Sequence, residues 1–147
     1  MKKQYNFSKR SLELLYGVHP KLVNFAKELI KISPYDFKIV EGLRTTEIQQ
    51  EYYSYGRTKF IDKWGNKITK PVTKFDGIKL KSKHQKQITG YSHAFDMCFM
   101  GKTIEEIYDV EKFNALIKVA RPLLKKYGVK WGGEFKKFVD MPHFELI

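Results

Sequence analysis

Cysteine is almost absent from this chain: Cys98 stands alone among 147 residues. One thiol cannot form an intramolecular disulfide framework or a cysteine-rich zinc cluster, so any metal site has to use histidine and carboxylate. Long apolar runs are missing as well, and charges interrupt every hydrophobic stretch well short of a bilayer-spanning length. Residues 1–20 lack an apolar signal core, so the expectation is a protein made in the cytosol, without membrane insertion. Acidic residues are scarce, 16 against 28 Lys and Arg, and the formal charge is +12. That charge concentrates the chain on polyanions without saying which ones, because the lysines are not gathered into one tail or helix. No zinc-finger spacing, helix-turn-helix pattern or RNA-binding aromatic motif accompanies it, so no specific nucleic-acid partner is expected.

What is present suits a single compact unit over residues 1–147, expected as a monomer. Hydrophobic residues make up 42% and aromatics 15%, enough for one sizeable core. Ser8–Leu15 reads as a short helix broken by Gly17-Val18-His19-Pro20. Pro20 then opens a helix to about Ile32, with Leu22, Ala26, Leu29 and Ile30 on one face. Phe37–Leu43 alternates as a strand, with Phe37, Ile39 and Glu41 on one side, and Thr45–Gln49 offers a capping box for a helix through about Tyr55. Residues 56–83 read as an ordered but irregular excursion of the kind that borders active sites. Ala94–Met100 is predicted as a buried strand. A capped turn at Thr103 leads to a helix from about Val110 to Tyr127, with a kink expected at Pro122 and a left-handed stop at Gly128. Val129–Gly132 and Met141–Ile147 complete the predicted strands. The fold class is α+β, a small antiparallel sheet flanked by helices.

Four histidines are available for chemistry. His19, in a turn before a helix, is best read as structural; His84, His93 and His143 are the candidates. Catalytic zinc sites take three ligands from histidine and carboxylate and keep one position open. Asp140, three residues before His143, is suitably spaced to carry a proton to and from the reacting groups, although Asp-x-x-His alone is a weak pattern. Cys98 shares strand parity with Asp96 but reads as a small apolar residue, and Trp131 and Phe144 as core or pocket wall. Gln49, Arg57 and Tyr91 are weaker substrate-contact candidates. Glu145, in alternation with His143, can orient a ligand from behind.

Seven segments add a stronger signal by their order: Gly17-Val18-His19-Pro20, Glu41-Gly42-Leu43-Arg44-Thr45 with Gln49, Gly56-Arg57-Thr58, Ser82-Lys83-His84-Gln85, Ala94-Phe95-Asp96, Trp131-Gly132-Gly133-Glu134 and Phe138-Val139-Asp140-Met141-Pro142-His143-Phe144-Glu145. In this the chain resembles the L-alanyl-D-glutamate endopeptidases of phage endolysins, relatives of the D-alanyl-D-alanine carboxypeptidases and vancomycin-resistance dipeptidases. The resemblance implies a hedgehog/D-Ala-D-Ala peptidase-like fold and a zinc ion (Zn2+) held by His84, Asp96 and His143. It also implies Asp140 as general base and Arg44 as the group that steadies the developing oxyanion. The implied substrate is the stem peptide of peptidoglycan, with anionic wall material as partner, and the implied location is the host cytoplasm until release to the wall. A dipeptidase acting on D-Ala-D-Ala and a non-catalytic basic binding module are the competing readings. One departure is clear: the family sets its first histidine seven residues before the aspartate, whereas His84 precedes Asp96 by twelve. His93 is therefore a rival ligand. His84 is preferred because His93 and Asp96 point to opposite faces of a regular strand.

Overall fold

The computed structural model describes residues 3–147. The elements are α1 (Lys9–Leu14), α2 (Pro20–Ile32), β1 (Phe37–Glu41), α3 (Thr46–Ser54), β2 (Ala94–Phe99), α4 (Ile104–Ile107), α5 (Val110–Tyr127), β3 (Val129–Trp131) and β4 (His143–Leu146), with a 3-10 turn at Gly132–Glu134. The strands form one antiparallel sheet in the order β1-β2-β4-β3. This is the expected α+β architecture, with slightly shorter strands than the alternation suggested. No described helix is long and apolar enough to cross a membrane.

Local chemistry accounts for the helix boundaries. Ser8, Thr45, Thr103 and Asp109 each accept a hydrogen bond from a first-turn N–H of the helix that follows. His19 caps α2 in the same way, its Nδ1 accepting from Lys21 N at 3.1 Å, which is the structural role expected of it. As expected, α5 runs through Pro122 to Tyr127 and stops where Gly128 turns left-handed at φ 66°. The two long helices pack on one sheet face. Phe25, Leu29, Phe113, Leu116 and Ala120 meet Phe37, Ile39, Phe95, Met97, Phe99 and Phe144 there, all buried. Glu28 ties α2 to α5, accepting from Lys126 Nζ at 2.9 Å and from the Tyr127 hydroxyl at 2.8 Å.

Alternation along β2 sends Phe95, Met97 and Phe99 into that core and leaves Ala94, Asp96 and Cys98 on the opposite face. β1 departs from simple alternation. Ile39 pairs with Met97 and Glu41 with Asp96, so Val40 is an extra residue, a β-bulge. The bulge corrects the expectation that Glu41 shares a side with Phe37 and Ile39: it turns Glu41 onto the face of Asp96. On β4, His143 pairs with Asp96 and Glu145 with Ala94, which puts both on that same face. The face away from the helices thus carries three carboxylates and an imidazole.

The Trp131-Gly132-Gly133 block is dictated by crowding. A Cβ on Gly132 would lie 2.2 Å from the Asp140 carbonyl oxygen and 3.0 Å from His143 Cβ, and one on Gly133 would strike the Trp131 ring. Gly132 O also accepts from Asp140 N at 2.9 Å, so this glycine sets the path of the segment entering β4. Gly132→Ala is expected to destabilise the fold by about 1–3 kcal/mol, the usual range for overpacking a tight site. Urea denaturation checks this, and an unchanged midpoint would refute the crowding account.

Candidate metal centre and catalytic cleft

Asp96 sits on a central strand between two imidazoles. His84 Nε2 lies 3.2 Å from its Oδ2, and His143 Nδ1 lies 3.0 Å from its Oδ1. The two rings are 5.1 Å apart, and one donor atom from each of the three residues falls within 4.8 Å of the others. The histidines are held in opposite senses. His84 Nδ1–H donates to the Gly42 carbonyl at 2.9 Å, leaving Nε2 aimed at the cluster. His143 reverses this: its Nε2 faces Glu145 Oε1 at 2.9 Å, leaving Nδ1 aimed at Asp96.

His84 is 2% exposed, and its Nε2 is the one buried side-chain nitrogen or oxygen among the described residues with no hydrogen-bond partner. A buried polar atom left unpaired is costly, and here its neighbours are a carboxylate and a second imidazole. Two imidazoles and a carboxylate, each backed by a further acceptor or strand pairing, form a donor set that can hold a metal ion.

The charges on these groups follow from their neighbours. Burial opposes the ionised form of Asp96, but the two imidazoles outweigh it and hold the carboxyl far below the usual carboxylate range. Burial likewise opposes a charged His143, yet Asp96 and Glu145, one at each ring nitrogen, push it up to about 9. Glu145 is held low by that same imidazole despite its own desolvation. Asp140 is exposed at the cleft mouth, but the protein mass around it and the charge of Asp96 push its carboxyl above the ordinary value.

Arg44 is fixed at the strand-to-helix corner. Its Nε donates to Glu41 Oε1 at 2.6 Å and its Nη1 to Gln49 Oε1 at 2.7 Å, while Nη2 also meets Glu41 and lies 3.9 Å from Asp96. Its backbone N–H donates to the His84 carbonyl at 2.9 Å, joining the arginine corner to the first histidine. Tyr52 stacks under the guanidinium, ring centroid 4.7 Å away, and its hydroxyl donates to Glu41 Oε2 at 3.0 Å. Arg44, Tyr52, His84, Asp96, Asp140 and His143 all line one cleft of about 440 Å³, together with Lys74, Lys81, Lys83 and Lys137.

The remaining candidates fall outside it. His93 turns away, with its Nε2 2.8 Å from Thr89 Oγ1 and its ring 5.4 Å from that of His19. Cys98 is buried, and burial pushes its thiol up. Trp131 donates from Nε1 to the Met141 carbonyl, and Phe144 is core. Arg57 stacks on Tyr53 and donates to its carbonyl oxygen, and Tyr91 packs by His19. Gln49 serves as a brace: wholly buried, it accepts from Arg44 and donates to Phe75 O at 2.8 Å, pinning the 56–83 excursion to the cleft. Sequence reasoning missed Tyr52 as a cleft residue and Glu41 as the carboxylate that holds Arg44. The helical spacing of Gln49 and Tyr52 was a usable sign for Tyr52; nothing local announced the bulge that turns Glu41.

The fold and cluster define a small α+β domain with a histidine-carboxylate centre in a basic cleft. The profile of the phage L-alanyl-D-glutamate peptidase family matches residues 3–147, and the chain belongs to that family. It is 31% identical over 126 residues to the L-alanyl-D-glutamate peptidase of Escherichia phage T5, covering 86% of this chain and 77% of the phage enzyme. It is 29% identical over 121 residues to the peptidoglycan L-alanyl-D-glutamate endopeptidase CwlK of Bacillus subtilis, covering 76% of this chain and 61% of that longer protein. The crystal structure of Serratia marcescens L-Ala D-Glu endopeptidase ChiX superposes with a TM-score of 0.67 at 27% identity, covering 99% of this chain and 91% of that one.

The two titrating partners set a pH dependence for chelator-treated protein. His143 has a raised folded value of about 9, so its contribution is complete below the unfolded value of about 6.5 and is lost as pH rises towards 9. Asp96 has a lowered value, so its contribution is present above about 3.9 and disappears in acid. Thermal melts in EDTA should therefore fall from pH 6.5 to 9. A metal ion held through His143 Nδ1 would displace its proton, so added zinc should stabilise more at pH 8 than at pH 6. Melts that rise with pH in EDTA would contradict the assigned pairing.

Proposed function

We propose that this chain is a zinc-dependent peptidoglycan endopeptidase that cuts the stem peptide between L-alanine and D-glutamate, with His84, Asp96 and His143 as metal ligands. The observation that carries this reading is the pair of oppositely oriented imidazoles, one with a buried unpaired nitrogen, converging on one carboxylate within a family of L-alanyl-D-glutamate peptidases. Zinc suits the donor set, and when bound it supplies Lewis acidity towards a carbonyl and lowers the pKa of water to near neutrality.

The chain's own side chains do the rest. Asp140, with its raised carboxyl, takes a proton from the attacking water and returns it to the leaving amine, a transfer that works best when the pKa approaches the working pH. Arg44 is held rigid by Glu41, Gln49 and Tyr52 before substrate arrives, so it offers a fixed positive charge where the scissile carbonyl becomes negative. The lysines around the cleft complement a substrate rich in carboxylates, as the stem peptide is. The domain acts as one catalytic unit, and its basic surface adds adhesion to anionic wall material. Its place of action is the wall, reached once the host inner membrane is breached, in keeping with its phage T5 relative.

Mass spectrometry of fragments released from purified peptidoglycan tests the reaction. New L-alanine carboxyl termini paired with new D-glutamate amino termini are expected, whereas release of free D-alanine alone would refute the bond assignment. Asp140→Asn should lower kcat by about 10²–10⁴-fold and Arg44→Lys by about 10²–10³-fold, with melting temperatures close to the parent. Glu145→Ala should weaken zinc binding by about 10–100-fold in a chelator competition, since it removes the acceptor that orients His143. Unchanged zinc affinity in that variant would sink the orienting role.

A further inference from the structure

The positive charge is segregated along the chain. Residues 56–92 hold ten basic residues against two acidic ones, a net +8 of the total +12. Both acids, Asp62 and Asp76, are engaged by backbone N–H groups of their own turns. Within this segment, residues 59–67 form a narrow hairpin-like tip. Ile61 bridges Lys67 across it, Ile68 N donates to Phe60 O at 2.8 Å, and Asp62 closes the turn by accepting from Trp64 N and Asn66 N. The turn is open on its outer side, where a Cβ added at Gly65 would meet nothing within 4 Å.

Its side chains are the reverse of an ordinary solvated loop. Phe60, Ile61 and Trp64 are 53%, 66% and 64% exposed, interleaved with exposed Lys59, Lys63 and Lys67. On its inner side the turn is tied to the end of α3: Lys63 N donates to the Tyr55 hydroxyl at 3.0 Å, and Trp64 and Lys63 approach the Tyr52 ring. None of these six tip residues lines the cleft.

We propose that the 59–67 tip is an interfacial anchor for an anionic lipid bilayer. Phe60, Ile61 and Trp64 enter the headgroup–acyl boundary, and Lys59, Lys63 and Lys67 pair with lipid phosphates. Large apolar side chains flanked by lysines match the two layers of such a surface, apolar below and anionic above. A hydrated polyanion such as a wall polymer satisfies the lysines but leaves the three apolar groups in water, so the membrane is the better complement. The anchor lies on the surface and spans nothing, and it goes beyond the hydrolytic reading.

The chain carries its own probe. Of its two tryptophans, Trp64 is exposed at the tip and Trp131 is only 6% exposed in the core. Vesicles of phosphatidylcholine with phosphatidylglycerol should bind the protein and shift its emission to the blue, whereas pure phosphatidylcholine vesicles should do neither. Trp64→Phe should abolish the shift, assigning it to the tip. Replacing Lys59, Lys63 and Lys67 by Gln should weaken partitioning about a hundredfold, at roughly fivefold per lysine. Phe60→Ser with Ile61→Ser should remove the shift and most of the binding, with the melting temperature and cleavage of a soluble stem peptide unchanged. Anionic vesicle binding without a blue shift, or binding indifferent to the Phe60 and Ile61 changes, would overturn the proposal. So would purified teichoic acid bound more tightly than the vesicles.

Discussion

A half-buried carboxylate that must stay ionised governs this structure. Asp96 lies on a central strand at the cleft floor, largely withdrawn from water, where an uncompensated charge would be costly. Two imidazoles compensate it from either side, and each is in turn held by an acceptor of its own, Gly42 O for His84 and Glu145 for His143. The ring orientations are consequences of those outer contacts. Remove the Gly42 carbonyl from its place and His84 loses the bond that directs Nε2 inward; remove Glu145 and the His143 ring has no reason to present Nδ1. The charge at the centre is thus stabilised by a shell of neutral and charged acceptors that fixes which nitrogen faces inward.

The bulge at Val40 extends that logic to the edge of the sheet. Without it Glu41 would point into the apolar core, where its carboxylate could not be tolerated, and Arg44 would lack its principal partner. With it, Glu41 sits across from Asp96 and is neutralised by the Arg44 guanidinium, while Tyr52 donates to its second oxygen. Two carboxylates on neighbouring strands would repel each other; Arg44, reaching both, makes the arrangement tenable. The arginine is therefore required by the resting protein before any substrate is considered. The same contacts hold the guanidinium in one pose, the fixed positive charge that the oxyanion role proposed for Arg44 requires.

Much of the frame was legible from residue types alone. Pro20 and Gly128 mark the ends of α2 and α5, and the apolar stripe of α2 buries as its spacing predicts. The alternation of β2 separates Phe95, Met97 and Phe99 from Asp96 and Cys98. Pro122 was legible as a proline inside a helix that continues to Tyr127. The sequence was silent where position depends on another element. The direction of Glu41 is decided by a register shift against β2, and the burial of Gln49 by the excursion that closes over it. Ser11, whose hydroxyl accepts from Ile39 N, looks like any helix serine until β1 is laid beside α1. Pairings across the sheet carry this information, and no local pattern encodes them.

The twelve-residue gap between His84 and Asp96 shows how such pairings override spacing. The chain leaves at Lys83 and returns at His93, where His93 N donates to Lys83 O at 2.8 Å. Beyond Gln85 the excursion closes on itself: Lys86 bridges Ser92, Gln87 N donates to Tyr91 O, and Gly90 turns with φ 87°. Ser92 is also tied to Gly17 and His19, so the exit and re-entry points are clamped from two sides. A loop with pinned ends can gain residues at its tip for only the slow logarithmic cost of loop entropy, without moving the residues that flank it. His84 accordingly reaches Asp96 across the extra residues, while His93, although closer in sequence, is carried to the other side of the clamp beside Thr89 and His19. Distance along the chain is informative about contact only while the intervening residues are unpaired. Once both ends of a segment are hydrogen-bonded to each other, the geometry belongs to the ladder.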